Sequence, residues 1–176
     1  MDLNRFIIDL IRKKNIKWME ERRLDFVPLL SVFLSYIIEG KPVLIITDDE
    51  RDWYSDYLIN KINSYNEFKP SFIPVFDLKK IVPQIRMAKC SDDFDMIEDM
   101  LNIAYEEYIF WYIGKETNLL KFAKRKEDSF FWIMDTEVSK NFYLKSIDEN
   151  LDKKLLDLAY IINESLKAAI FGEIEI

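Results

Sequence analysis

Two unbroken apolar runs, VLIIT at Val43–Thr47 and IFWYI at Ile109–Ile113, constrain the fold of this chain more than any other feature. A strand with one solvated face alternates apolar and polar side chains, so strands that are apolar without alternation have to be covered on both faces. Such strands belong in the centre of a sheet. From Val43 onward, strand patterns alternate with helical ones, the signature of a mostly parallel sheet wrapped by helices. The predicted strands are Val43–Thr47, Phe72–Phe76, Ile109–Ile113, Ser129–Met134 and Phe142–Lys145. Predicted helices run over Glu50–Ser64, Asp92–Tyr105, Lys115–Arg125 and Asn150–Phe171. Pro74 would delete a ladder hydrogen bond from the second strand unless that strand lies at an edge. An edge second strand gives the order 2-1-3-4-5, and the expected fold is α/β, three layers around a five-stranded parallel sheet.

Two helices precede the sheet. Leu3, Phe6, Ile7, Leu10 and Ile11 share one face of the first. The second is expected to open near Asp25, with Pro28 in its first turn and Gly40, Lys41 and Pro42 as its stop signal. Phe26–Ile38 is apolar nearly all round, so it needs cover on more than one side, and another subunit is one way to supply it. That run is too short to span a bilayer, which takes roughly 20 residues. The three glycines and five prolines of the 176 residues stand singly and form no linker, so the chain reads as a single domain over residues 1–176.

The absence of histidine removes the commonest general base, the imidazole-dependent triads and most zinc sites. No catalytic, cofactor-binding or metal residue is expected. A net charge of −7 argues against direct binding of nucleic acid, which requires a basic surface. The basic residues within Lys121–Lys126 are most simply cations near a helix C-terminus. The lone Cys90 cannot form an internal disulfide, and no signal-peptide pattern opens the sequence, so a cytoplasmic location is expected.

The strand order places a crevice between strands one and three, above Thr47–Asp49 and Gly114. A phosphate-binding loop would need glycines there, but TDDERDW has none and would set Asp48, Asp49, Glu50 and Asp52 against the anion. A receiver-type magnesium site is half present, in Asp48, Asp49 and Lys145, but Gly114 and Lys115 stand where its phospho-acceptor should be. The plain alternative is that Asp48 or Asp49 caps the following helix while Glu50 and Asp52 sit in its first turn. Arg51 and Trp53, expected at the exposed mouth, are candidates for binding a partner. Phe110–Tyr112 and Phe130–Trp132 are read as core, and the acids of Asp92–Asp99 as a helix cap, first turn and solvated face.

Several of these residues carry a family resemblance. Arg51 and Trp53 opening a helix after the first strand, FWYIGK at Phe110–Lys115, SFFW at Ser129–Trp132 and the closing NESLKAAIF resemble the HobA family over nearly the whole chain. HobA proteins bind the replication initiator DnaA in Helicobacter and its relatives, and are similar in fold and role to DiaA of enteric bacteria. The resemblance implies a flavodoxin-like, sugar-isomerase-like domain without its sugar-phosphate site. It also implies a homotetramer holding several DnaA molecules by their N-terminal domains, with no cofactor. A sugar-phosphate isomerase or sensor of the same fold is the alternative. By position, Ile170 and Phe171 match the apolar pair of DiaA that contributes to initiator binding; ordinary packing of a helix end is the competing reading.

Overall fold

The computed structural model describes residues 1–64 and 72–176. Its sheet has the order β2-β1-β3-β4, from β1 (Val43–Thr47), β2 (Val75–Asp77), β3 (Ile109–Lys115) and β4 (Phe130–Met134), all parallel. β2 is the edge strand, and Pro74 lies just before it, where it costs no ladder N–H; its carbonyl accepts from Val43 N–H at 2.8 Å.

The expected fifth strand is not formed, so the sheet has four strands, not five. Its segment does lie beside β4, joined by Phe142 N–H to Phe131 O at 2.9 Å and by one parallel bridge, Met134 to Leu144. The pairing is interrupted in its middle, where the Asn141 side chain takes the Ile133 N–H at 2.7 Å, and resumes only with Leu144 N–H to Ile133 O at 3.4 Å and Asp135 N–H to Leu144 O at 3.0 Å. A side-chain amide has replaced the backbone partner that a strand would have supplied.

Side chains alternate between two cores. Val43, Ile45, Trp111, Ile113, Phe130 and Trp132 face one side, under α1 (Leu3–Lys14), α2 (Met19–Ile38), α3 (Asp52–Ile62) and α7 (Leu151–Ile170). Leu44, Ile46, Phe110, Tyr112, Phe131 and Ile133 face the other, under α4 (Leu78–Ile81), α5 (Ser91–Ala104) and α6 (Asn118–Ala123). The aromatic triplets of β3 and β4 are therefore core; Trp111, for instance, meets Phe33 edge-on at 4.8 Å.

Two helix boundaries differ from expectation. α2 starts at Met19, not near Asp25, which leaves Pro28 inside the helix rather than in its first turn. The carbonyl that Pro28 cannot satisfy belongs to Leu24, a residue two-thirds exposed, so water can take it. The predicted helix at Lys115 is shorter as well: β3 continues through Lys115, and α6 begins only at Asn118, where the Thr117 hydroxyl accepts from Leu119 N–H at 3.2 Å. Among the described residues no helix is long and apolar enough to cross a membrane.

Candidate functional site

At the C-terminal edge of the sheet, β1 ends at Thr47 and a 3-10 turn, Asp49–Arg51, leads into α3. Asp48 does not cap that helix with its side chain, contrary to expectation. It ties the two central strands instead. Its N–H donates to Ile113 O at 3.3 Å, and its Oδ2 accepts from Lys115 N–H at 2.7 Å. Gly114 makes this possible: a Cβ at that position would come within 2.7 Å of Asp48 Oδ2 and 2.9 Å of Asp48 N. The glycine of the crevice admits a carboxylate of this chain's own backbone turn.

The same oxygen receives the Arg51 guanidinium, whose other close carboxylate is Glu50 at 3.1 Å. Arg51 is only 5% exposed, so it is drawn inward and does not stand at an exposed mouth as the sequence suggested. The remaining acids are matched in turn. Glu50 is bonded by Lys115 Nζ at 3.1 Å, which lowers its pKa. Buried Lys79 bridges Asp49 at 3.0 Å and Asp52 at 2.8 Å. Burial raises the Asp52 pKa, but hydrogen bonds from Lys79, Thr47 and Arg86 outweigh it, and the net displacement is downward. Asp135, at φ +63 just after β4, accepts from Ser146 N–H and hydroxyl and is lowered by both.

These pairings decide what the crevice can do. An anion binding to Arg51, Lys79 or Lys115 would have to displace carboxylates that already hold them, at a cost of several kcal/mol. Asp48 Oδ1 and Arg51 Nε are buried without a hydrogen-bond partner among the described residues, but one acceptor beside one donor does not make an anion site. The receiver-type arrangement is not assembled either: Asp48 is committed to Arg51 and Lys115, and the Asp49 side chain is 91% exposed beside Lys79. Among the described residues no group of three or more metal-ligating side chains converges. Above the pairs lies a depression of about 270 Å3, walled by Glu50, Asp148, Glu149, Asp152, Arg51 and Trp53.

Trp53 is partly exposed on that rim, edge-on to Tyr54 at 5.4 Å. Ile170 and Phe171 are elsewhere. α7 starts at Leu151 on the wall of the depression and runs back along the sheet for 20 residues, so its far end is about 30 Å away. The four predicted partner-binding residues therefore form two separate groups. At the far end, Gly172 adopts φ +69, its N–H donates to Ala169 O at 3.1 Å, and Glu173 N–H donates to Ala168 O at 2.8 Å. This is a Schellman turn, and it needs a residue free to adopt the left-handed conformation. The chain then pairs with its own beginning, Glu175 N–H with Met1 O at 2.9 Å. Phe171 is left 55% exposed on a helix end fixed from both sides, so that side chain lies outside the core of its own chain.

Sequence reasoning missed Lys79, Arg86, Asp135 and Ser146. Only Lys79 left a signal, since it follows Asp77, whose carboxylate accepts the Lys79 N–H at 2.8 Å as the cap of a new helix.

The profile of the HobA family, described as DNA replication regulator, matches residues 1–176. The DNA replication regulator protein HobA of Helicobacter pylori is 23% identical over 161 residues, covering 89% of this chain and 86% of that protein. Three solved structures share the fold. A complex of H. pylori HobA with DnaA domains I–II has a TM-score of 0.77 at 21% identity, covering 100% of this chain and 99% of that one. H. pylori HobA crystallised as HobA has a TM-score of 0.74 at 18% identity, with the same coverage. A phosphoheptose isomerase from Francisella tularensis has a TM-score of 0.54 at 13% identity, covering 88% of this chain and 97% of that one. The last likeness makes the fold sugar-isomerase-like. With its profile matched from the first residue to the last, the chain belongs to the HobA family of DNA replication regulators.

Proposed function

We propose that this chain is a cytoplasmic, non-enzymatic scaffold that binds the N-terminal domain of the replication initiator DnaA and thereby regulates assembly of the initiation complex at the chromosomal origin. The observation that carries this reading is the likeness, over the full length, to an H. pylori HobA solved in complex with DnaA domains I–II. The crevice supports the absence of catalysis. Its acids and cations neutralise one another, and no histidine is available as a base.

The working form is a homotetramer of single sugar-isomerase-like domains, each spanning residues 1–176. α2 supports an assembly, because Leu24, Val32 and Ile38 remain exposed after its other faces are packed. The initiator-binding surface is built on Ile170 and Phe171 at the end of α7, with Ile170 half-buried against the core and Phe171 the exposed member. Trp53 and Arg51 belong to the crevice rim instead, with Trp53 the accessible member.

Titration calorimetry with the isolated N-terminal domain of the host's DnaA tests the reading. Saturable binding is expected, and no change in melting temperature with sugar phosphates, since a ligand at a hundred times its Kd would add about 2.7 kcal/mol. Silence with the DnaA domain, or a clear thermal shift with a sugar phosphate, overturns it. Light scattering should return the mass of four chains at micromolar concentration; a monomer mass defeats the tetramer.

A further inference from the structure

α5 carries a surface that belongs neither to the crevice nor to the end of α7. Its inner side packs Phe94, Ile97 and Leu101 into the core under β3. Its outer side holds Met96, Met100 and Ile103, respectively 55%, 45% and 88% exposed. Spacings of four and three residues place them in one stripe, about 10 Å long. Single exposed apolar side chains are ordinary, whereas a contiguous stripe rimmed by polar residues marks an interaction surface. Two of the three are methionines, whose flexible, polarisable side chains suit a surface that adapts to a partner.

The charge around the stripe specifies the partner. Asp92 precedes Met96 by one turn, and Asp99 precedes Ile103 by one turn, so both acids lie along one edge of the apolar row. Each is exposed, with no cation within ion-pair distance among the described residues. The nearby Arg125 is already held by Asp95 at 2.6 Å and Glu98 at 3.1 Å. Beyond Ile103 the helix ends at a depression of about 510 Å3 walled by Glu39, Glu106 and Glu107. Its cation, Lys41, is held by Glu39 and Glu107 at 2.8 Å each. An apolar row edged by two unpaired acids, ending beside the exposed Glu106, complements an apolar row edged by bases.

We propose that this face of α5 binds a basic amphipathic helix of a partner protein. Its apolar side chains lie along Met96, Met100 and Ile103, and its lysines or arginines reach Asp92, Asp99 and Glu106. A second copy of this chain fits poorly, because a two-fold contact through the stripe would bring Asp92 and Asp99 against the same acids.

The test uses a fluorescein-labelled leucine/lysine amphipathic peptide about 18 residues long, five helical turns, and a leucine/glutamate peptide of the same apolar pattern. Anisotropy is read against the full chain and against the variant M96S/M100S/I103S, whose melting should stay close to the parent's because none of the three side chains belongs to the core. The lysine peptide should bind the parent and the glutamate peptide should not. The serine variant should lose at least about tenfold in affinity. D92N/D99N should bind more weakly and with a shallower salt dependence. Failure of the lysine peptide to bind overturns the proposal, as does equal binding to the serine variant, which would mean attraction to the acidic surface at large. A fall in the mass of the serine variant by sedimentation also overturns it, since the stripe would then be covered by a second copy.

Discussion

The two ends of α7 are built oppositely. At Leu151 the helix starts beside a crevice in which carboxylates and cations satisfy one another: Asp48 holds Arg51 and the Lys115 N–H, Asp52 holds Lys79, and Glu50 holds Lys115. At Ile170 it finishes in a Schellman turn tied to the N-terminus, with Phe171 more than half in water. In a sugar-isomerase-like fold the crevice is the expected ligand position, since it lies beyond the strand ends at the switch in strand order. Here that position is closed by the chain itself, and unsatisfied apolar surface has moved to the opposite end. A closed polar site contributes to stability, and an open apolar end remains available for recognition.

The largest expected effect breaks the closed end. Asp48→Ala leaves the Arg51 guanidinium buried without its main partner and also removes the acceptor of Lys115 N–H. Removing one member of a buried pair costs about 3 to 5 kcal/mol, well above the 0.5 to 2 kcal/mol of a lost helix cap. Urea unfolding distinguishes the two, and a loss at the lower value would return Asp48 to a capping role.

The open end should respond the other way. Phe171→Ala is expected to leave melting within about 0.5 kcal/mol of the parent, because the side chain is largely solvated. It should weaken DnaA-domain binding at least about tenfold, as loss of an aromatic anchor does. A variant that binds as well as the parent would move the initiator surface away from the end of α7, with the rim at Trp53 the next to be tested.

How legible these two ends were in the sequence follows from the range of the interactions. β1, β3 and β4 were readable because burial on both faces leaves an apolar run with no alternation, a property of the strand alone. β2 does lie at the edge, but not for the reason Pro74 suggested, since the proline falls just before the strand and takes no ladder N–H from it. The fifth strand was misread because Phe142–Lys145 has a strand's composition, while the Asn141 amide that interrupts its pairing with β4 acts from just outside it. Pro28 was misplaced for a similar reason, since its cost depends on whether the Leu24 carbonyl reaches water. At the crevice, the acids were visible but not their partners. Arg51 looked exposed because its burial depends on Asp48 reaching past Gly114, a contact between residues 66 apart in the chain. At the far end, Phe171 was legible as an apolar residue closing a helix, yet only the fold shows that it is exposed and lies some 30 Å from Trp53.

A smaller effect sharpens the account of the open end. Gly172→Ala would place a side chain at φ +69, which costs roughly 1 to 2 kcal/mol. No atom lies within 4 Å of the added Cβ, so the loss reports backbone strain alone. Hydrogen exchange should quicken at Gly172 and Glu173, whose N–H groups close the turn. Unchanged exchange there would mean that pairing with Met1, and not the turn, fixes the helix end.

The smallest effect separates the two ends by pH. Asp52 titrates below its ordinary value in the folded chain: burial works against this, and the hydrogen bonds from Lys79, Thr47 and Arg86 prevail. Asp135, bonded by Ser146, and Glu50, bonded by Lys115, are lowered too, and all three lie at the crevice end. A carboxylate whose folded pKa is depressed contributes stability that is fully present above its unfolded pKa, near 4, and is lost as pH falls through the lower folded value. Melting temperature should therefore be flat from about pH 7 to 5 and decline below about pH 4. Asp52→Asn cannot be protonated and should show a shallower decline than the parent. The difference is small because about a third of the Asp52 side chain is exposed, where water screens the pairs. Phe171→Ala, remote from these carboxylates, should keep the parental slope. Parallel acid limbs for Asp52→Asn and the parent would show that the crevice pairs do not set the acid stability, and the contrast between a closed end and an open one would then rest on Asp48 and Arg51 alone.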